Sequence, residues 1–384
     1  MRARPHPFPR TARVRLAVLF LAVASAALAL GAPLAAQSTV PGLDTAAMDR
    51  SVRPGDDFYL YANGRWVQKT AIPADRSAYG AFNIAAERAE RRLTQIVQDA
   101  AKANAPAGSD LRKIGDYYSS FLDTAAIAAR GLTPLKPALN RIAAIGNRTE
   151  LARYIGSTLR ADVDVINDGA LDTDNLFGLW VDQDFDTPTK NFAALLQGGL
   201  EMPDKSYYLD TSATMVTVRE KYRTHVARML SLAGFSDAKG MADTILALET
   251  KIARTHEARE DTWDVRKGDN HWARAEFPTK APGLDWDAFF TAAGLGDIPT
   301  FVAWQPAAIT QLSALTASEP LSAWKDLFVY HTIEHHAAVL PPAFDHEAFA
   351  FFGKTLSGIE AQAPRVKRAV QAASGALGFA VGKL

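Results

Sequence analysis

The chain has 384 residues, 48% of them hydrophobic and 22% charged, which is typical of a globular protein with a large core. Its 42 basic and 42 acidic residues balance, but five of the basic ones lie at residues 2–15. The rest of the chain therefore has a formal net charge of 37 − 42 = −5, which argues against nucleic-acid binding. The chain has no cysteine, which excludes disulfides, thiolate zinc ligands and a lipid anchor on a processed cysteine.

The N-terminus is typical of a secretory signal peptide. Five arginines precede an apolar run over residues 16–30, and small residues follow up to Ala36. The run is about fifteen residues long, against roughly 20 for a membrane span, which disfavours an anchor. We therefore predict a signal peptide over residues 1–36 and a polar tether over 37–48. The mature protein is expected to be exported, periplasmic or secreted, without a stable membrane anchor.

The rest of the chain predicts mainly helices. Apolar residues recurring at intervals of three and four indicate helices over residues 75–103 and 111–130, and two more beginning at Pro134 and Thr149. Ser109 or Asp110 is the expected N-cap of the second helix. Further helices are predicted over residues 214–232, 236–259, 286–292, 304–317, 321–340 and from 362 to the end.

One region departs from this pattern. Two apolar stretches at residues 176–181 and 191–196 flank a turn at 186–190, which predicts a β-hairpin. Residues 198–208 are predicted to form a turn and loop. The predicted fold class is therefore mainly α, a multi-helix domain with a small antiparallel β element near residues 176–197.

Five sequence blocks together resemble one known family. Residues 53–82, RPGDDFYLYANGRWVQKTAIPADRSAYGAF, are similar to the opening of the N-terminal half of neprilysin-like (M13) zinc metallopeptidases. Later segments resemble the same half in the same order: GLEMPDKSYY at 199–208, ETKIARTHEAREDTWDVRKGDN at 249–270, PLSAWK at 320–325 and FAFFGKTLSG at 349–358. The resemblance implies that residues 49–384 form an M13-type N-terminal helical domain.

The catalytic motifs that the resemblance implies are absent from this sequence. Family members bind zinc through a His-Glu-x-x-His helix and a downstream Glu, after a substrate-binding Asn-Ala-aromatic strand, and neither motif occurs in this sequence. We therefore expect a chain truncated before the catalytic zinc domain, with no catalytic residue and no zinc of its own. Zinc would be the cofactor of the full-length enzyme, and peptide substrates would be engaged through the missing half.

A lookalike metal motif occurs at residues 331–335. His331, Glu334 and His335 fit the inverted zinc pattern His-x-x-Glu-His. On a helix the two histidines face the same side. However, Trp324 and Phe328 share that stripe and no third ligand is identifiable, so a packed histidine pair is the favoured interpretation and no metal ligand is predicted.

Two other polar motifs also favour a structural interpretation. His256 and Glu257 lack a second histidine, because Glu260 stands at its position, and we predict a solvated helix face. The acidic series lacks the glycine and terminal Glu of a calcium loop and is predicted to be a solvated turn; it comprises Asp162, Asp164, Asp168, Asp172 and Asp174.

The sequence offers one candidate residue for binding the substrate, Arg76. The resemblance implies an Arg just before a Tyr-Gly pair that holds the substrate's C-terminal carboxylate, and a second Arg eight residues later. Here those positions are Ala78 and Ala86. Arg76 is the remaining candidate for this role, and a surface Arg in a loop is the simpler interpretation. The departure favours endopeptidase action over release of C-terminal dipeptides.

These observations lead to a favoured function and two alternatives. The favoured one is the N-terminal, cavity-forming half of an exported zinc metalloendopeptidase acting on oligopeptides, inactive by itself. The first alternative is a non-catalytic exported peptide-binding module. The second is a self-sufficient metalloenzyme that uses His331, Glu334 and His335.

Overall fold

The structure, a computed structural model, describes residues 44–163, 171 and 173–384. The predicted signal peptide and the first seven residues of the predicted tether lie outside this part. The chain divides into two compact units, one ending at Ala71 and the other comprising Ile72–Leu384. Among the described residues, none of the helices has the length and apolar character needed to cross a membrane.

In the part of the first unit that the structure describes, residues 44–71, the chain forms helix α1 (Phe58–Lys69). Asp57 caps it, because its carboxylate accepts a hydrogen bond from the backbone N–H of Leu60 at 2.8 Å. The preceding segment packs against Gly64, where an added Cβ would lie 2.7 Å from the Cβ of Asp49. In the 53–82 block, the Asp-Asp pair therefore provides the helix cap. The glycine of the Asn-Gly pair leaves room for the side chain of Asp49.

The second unit begins with helices. They are α2 (Ala81–Lys102), α3 (Asp110–Leu122), α4 (Thr124–Arg130), α5 (Lys136–Ala143) and α6 (Arg148–Thr158). The predicted helix over 75–103 begins six residues late, because Gly80 is extended and serves as its N-cap. The predicted helix over 111–130 is two helices, since the carboxylate of Asp123 caps the second one. Ser109 is the N-cap of α3, as predicted.

The middle of the unit combines strands and helices. The predicted hairpin is confirmed as β1 (Phe177–Gln183) and β2 (Asn191–Gln197), paired antiparallel with Phe177 opposite Gln197. The elements that follow are α7 (Lys205–Leu209), α8 (Ala213–Leu232), α9 (Ala238–Thr255), α10 (Arg259–Thr262), α11 (Val265–Gly268), β3 (His271–Ala273), α12 (Phe277–Lys280), α13 (Trp286–Ala292) and β4 (Thr300–Ala303).

The sheet is larger than the hairpin. Its order is β1-β2-β4-β3, with β4 parallel to β2 and antiparallel to β3. Sequence analysis did not predict β3 and β4, because strands of three and four residues are too short for an alternating pattern to stand out. The fold class is mainly α, as predicted.

The chain ends in helices again: α14 (Pro306–Ser318), α15 (Leu321–His335), α16 (Pro342–Ala348), a π-helix (Phe349–Leu356) and α17 (Arg365–Gly382). Apolar side chains of the second unit form a large core among α5–α9 and α12–α16, and a separate one among α2, α3 and α17. The sheet packs a third, aromatic group around Trp180 and Trp304. The polar cluster described next lies on helices that form the large core.

Candidate functional site

A largely buried cluster of histidines and glutamates lies where α8, α9, α15 and α16 meet the loop after β2. We call it the His–Glu cluster. Its members are Glu201 from the loop, His225 from α8, Glu249 from α9, His331, Glu334 and His335 from α15, and Glu347 from α16. Charged groups are rarely buried unless they are paired, so a site with this many ionisable side chains is a candidate for function.

Two members lie in the apolar stripes of their own helices. On α9, Glu249 follows Ala242 and Ile245 and precedes Ile252, at spacings of three and four, and all four are fully buried. On α8, His225 lies between the buried residues Tyr222 and Met229, at spacings of three and four. Packing of the helices therefore carries both polar side chains into the core.

The loop after β2 brings Glu201 to the cluster. Gly199 has a φ of +87°, a conformation that favours glycine, and an added Cβ would lie 2.8 Å from Cδ1 of Leu176. The chain thus turns sharply at the end of β2 and directs Glu201 toward α15. The side chain of Glu201 is 10% exposed.

The cluster consists of two linked groups of contacts. In the first, Nε2 of His331 donates to Oε1 of Glu249 at 3.0 Å and lies 3.7 Å from Oε2 of Glu201. Nε2 of His335 donates to that same Glu201 oxygen at 3.0 Å. The hydroxyl of Tyr222 also donates to Oε1 of Glu249 at 3.0 Å.

The second group is centred on His225. Its Nε2 lies 3.1 Å from Oε2 of Glu334, and its Nδ1 lies 3.2 Å from Oε1 of Glu347. Glu334 therefore points to α8, away from the histidine pair beside it in the sequence. This geometry removes Glu334 from the set of metal ligands that the 331–335 pattern suggests.

Burial and pairing act in opposite directions on the pKa values of the cluster. Burial lowers the pKa of His335, but the hydrogen bond and charge of Glu201 outweigh it and raise that pKa to about 9. For Glu201, burial raises the pKa, yet the bond from His335 and the charges of the histidines bring it below its usual value. For Glu249, burial prevails over the bond from His331 and the pKa is raised.

His225 is also shifted. Burial lowers its pKa, and the hydrogen bonds and charges of Glu334 and Glu347 outweigh burial, so the pKa lies above its usual value. Two imidazoles of the cluster thus have raised pKa values, because carboxylates lie within hydrogen-bond distance of each.

Among the described residues, one group of side chains could hold a metal ion: Glu201, His331 and His335, whose ligand atoms all lie within 4.8 Å of one another. The sequence analysis disfavoured a metal at 331–335 because it could identify no third ligand. The fold supplies Glu201, which is 130 residues away in the chain.

Two cavities border this group. A pocket of about 760 Å³ is formed by the loop after β2, α7 and the residues after α9, and both Glu201 and His256 line it. A smaller cavity of about 130 Å³ lies against His331 and His335. The cluster therefore forms part of the wall of the larger pocket.

The other polar motifs have different outcomes. The predicted solvated position is wrong for His256, which ends α9 half-buried, with Nε2 3.0 Å from the carbonyl oxygen of Gly198. Glu260 is exposed, as predicted. In the acidic series, Asp162 and Asp174 are exposed, while Asp164, Asp168 and Asp172 lie outside the described residues.

The proposed substrate-binding Arg76 precedes α2. Its Nη2 lies 3.4 Å from Glu87 and 3.6 Å from Glu90, and its side chain is 15% exposed. Ala78 and Ala86 are exposed. Arg76 already has carboxylate partners in this structure, and a role in binding substrate stays a prediction.

Sequence reasoning missed His225 and Glu249 as members of a site. Each had a readable signal, because a lone ionisable residue stood in an otherwise apolar helical stripe. Glu201 had no such signal, since loop residues carry no periodicity.

Comparisons with known proteins show that this chain is similar to peptidases, including a zinc metalloprotease. The sequence model of peptidase family M13 matches residues 54–384. Endothelin-converting enzyme-like 1 of Mus musculus is 26% identical over 63% of this chain and 31% of that protein. Endothelin-converting enzyme 1 of Rattus norvegicus is 22% identical over 88% of this chain and 44% of that protein. The chain thus spans less than half the length of these relatives.

Solved structures show the same relation. The zinc metalloprotease Zmp1 of Mycobacterium tuberculosis, in complex with an inhibitor, superposes with a TM-score of 0.80 at 34% identity. The match covers 89% of this chain and 51% of that one. PepO of Lactobacillus rhamnosis shares the fold, with a TM-score of 0.68 at 19% identity.

Proposed function

Because the chain belongs to peptidase family M13, whose model matches residues 54–384, we propose that it is the N-terminal, cavity-forming half of a zinc metalloendopeptidase that acts on oligopeptides. The superposition on the Mycobacterium tuberculosis zinc metalloprotease carries the proposal, since 89% of this chain corresponds to 51% of that enzyme. The remaining half of the enzyme would contribute the catalytic site.

The cluster does not fit a catalytic zinc site. A catalytic zinc needs three protein ligands, an open position for water and a carboxylate base beside it. Glu201, His331 and His335 supply three ligands, but the carboxylate of Glu334 is bound to His225 instead of facing the histidine pair as a base would. The sequence also contains no His-Glu-x-x-His. We therefore assign no step of peptide hydrolysis to this chain.

The role proposed for this half is to form a wall of the reaction chamber. Closely packed helices resist deformation, because protein interiors are as dense as organic crystals. A rigid wall excludes folded proteins by their size and admits flexible peptides. In this way the half would determine which substrates reach the zinc without contacting it.

Export is the second component of the proposal. The basic N-terminus followed by the apolar run at residues 16–30 supports passage across a membrane and cleavage near Ala36. We therefore propose a periplasmic or secreted enzyme.

Reconstitution tests the proposed function. The chain is purified alone and co-expressed with the polypeptide encoded immediately downstream, and each sample is assayed on a fluorogenic unstructured peptide with and without chelator. We expect no hydrolysis by the chain alone and chelator-sensitive hydrolysis by the pair. Chelator-sensitive cleavage by the chain alone would contradict the proposal. The absence of His-Glu-x-x-His from the downstream reading frames would also contradict it.

The pocket of about 760 Å³ supports the alternative of a non-catalytic peptide-binding module, because its volume lies in the range of ligand sites. This alternative expects the chain alone to bind unstructured peptides, measured by fluorescence anisotropy, and no catalytic partner downstream. The same two experiments thus separate it from the peptidase half.

A further inference from the structure

We propose that Glu201, His331 and His335 form a structural Zn²⁺ site in this chain, separate from the catalytic zinc expected in the other half of the enzyme. The ligand atoms are Nε2 of both histidines and Oε2 of Glu201. The inference concerns this chain's own residues and holds whether or not the proposed function is correct.

The ligand types and spacing suit zinc. Zinc binds imidazole nitrogen and carboxylate oxygen at about 2.0–2.2 Å in tetrahedral geometry, which places neighbouring ligand atoms about 3.3 Å apart. Oε2 of Glu201 lies 3.0 Å from Nε2 of His335 and 3.7 Å from Nε2 of His331. Small side-chain rotations therefore bring the three atoms around one ion.

The backbone prepares this arrangement. His331 and His335 are one turn apart on α15 and project from the same side. The turn at Gly199 directs Glu201 toward them from the loop after β2. An ion would thus join two elements that are distant in sequence, which is what a structural zinc does.

Glu249 provides an independent indication of a missing cation. Its carboxylate is fully buried, and within the described residues its Oε2 has no hydrogen-bond partner. A buried carboxyl oxygen without a partner is costly. Its other oxygen lies 3.0 Å from Nε2 of His331, so an ion bound to that nitrogen would lie beside the Glu249 carboxylate.

The charge of the cluster points the same way. It contains four carboxyl groups and only three imidazoles, so acidic side chains outnumber basic ones. Imidazoles that bind a metal are neutral, which leaves a larger negative excess. A divalent cation offsets that excess.

Enclosure favours a structural role for the ion. The side chains of Glu201 and His331 are each 10% exposed, and that of His335 is 26% exposed. Two of the three ligands are thus shielded from solvent, as the ligands of structural zinc sites are. The cavity of about 130 Å³ beside both histidines provides an entry path. Because Glu201 also lines the pocket of about 760 Å³, the ion would hold that pocket's wall in place.

Metal analysis of the untagged full chain tests the site. Protein stripped with chelator is titrated with Zn²⁺ by calorimetry, and zinc content after desalting is measured by mass spectrometry. We expect about one bound equivalent for the unmodified chain. Loss of one ligand in Glu201→Gln or His335→Ala should weaken binding by roughly 100-fold or more, beyond the effect typical of outer-shell changes.

His336→Ala is the matched control. This histidine is next to His335 and borders the same cavity, but its Nδ1 lies 2.8 Å from the carbonyl oxygen of Thr332 and it is exposed. Its removal should leave zinc affinity unchanged. Glu201→Gln keeps the side-chain size, so it remains informative if His335→Ala fails to fold. Visible absorption of a Co²⁺-loaded chain, lost in Glu201→Gln, gives a second measurement.

Two results would overturn the site. One is zinc content at background level in the unmodified chain after desalting. The other is equal loss or equal retention of zinc in Glu201→Gln and His336→Ala. Both measurements are independent of peptide hydrolysis, so they separate failure of this site from failure of the proposed peptidase function.

Discussion

Glu249 shows how a single buried acid organises its surroundings. Its Oε1 accepts hydrogen bonds from Tyr222 on α8 and from His331 on α15, so three helices meet at one oxygen atom. Burial of Tyr222 also raises the pKa of its hydroxyl well above the usual value, which keeps it a proton donor at all physiological pH values. One side chain thus joins elements that the sequence places far apart.

His256 predicts a loss of stability in mild acid. Burial, with a contribution from the charge of Lys205, lowers the pKa of His256 to about 4, whereas an imidazole in the unfolded chain titrates near 6.5. The folded state therefore resists protonation. Its contribution to stability is complete above pH 6.5 and is lost as pH falls toward 4, by about 1.4 kcal/mol per pH unit.

Urea unfolding at pH 7.5, 6 and 5 measures this loss. The control variant His256→Gln keeps a donor for the carbonyl of Gly198 and does not titrate. We expect the free energy of unfolding to fall more steeply with decreasing pH in the unmodified chain than in the variant. Parallel slopes would show that His256 does not carry the effect.

At the scale of elements, close helix contact depends on glycine. At Gly156 of α6 an added Cβ would lie 2.2 Å from the backbone oxygen of Phe289 in α13, and a backbone atom cannot rotate away. We expect Gly156→Ala to destabilise the protein by about 1–3 kcal/mol through overpacking. Equilibrium unfolding in urea provides the measurement.

Gly375→Ala is the comparison for that substitution. Gly375 lies within α17, and an added Cβ there meets no atom of the described residues within 4 Å. Alanine is the better helix former, so this variant should gain up to about 1 kcal/mol. Changes of the same sign and size at both positions would contradict the packing explanation.

At the scale of the whole molecule, Asp345 connects the large core to the core formed by α2, α3 and α17. This buried carboxylate on α16 accepts two hydrogen bonds from Arg368 of α17, at 2.7 and 2.8 Å, and one from Arg365 at 3.3 Å. The guanidinium of Arg365 lies 4.5 Å from the ring centroid of Phe121 in α3. The two cores are thus joined through few charged groups.

We expect Asp345→Asn to cost about 3 kcal/mol, because it leaves two half-buried guanidinium groups without their carboxylate. Hydrogen exchange should accelerate in α2, α3 and α17 more than in α8 and α9, since the link between the cores is what weakens. Asp243→Asn is the control: its pair with Arg223 is exposed and screened by solvent, so this change should leave stability nearly unchanged. Uniform acceleration across all helices would contradict this role of Asp345.

Many of the helices and strands could be predicted from the local spacing of apolar and turn residues. The helix at 286–292 and the hairpin strands at 177–183 and 191–197 were predictable because apolar spacing and turn residues act over a few neighbouring positions. The break at Asp123 and the late start of α2 at Gly80 were missed. Each depends on one capping residue, which a pattern averaged over many residues does not resolve.

By itself, the sequence determined the mainly helical fold class and the membership in peptidase family M13, because both depend on order along the chain. Only the tertiary structure decided the composition of the His–Glu cluster. It joined Glu201 to a histidine pair 130 residues later and directed Glu334 to His225 instead. A metal site requires proximity in space, and the helix packing that produces this proximity leaves no local mark at a loop residue such as Glu201.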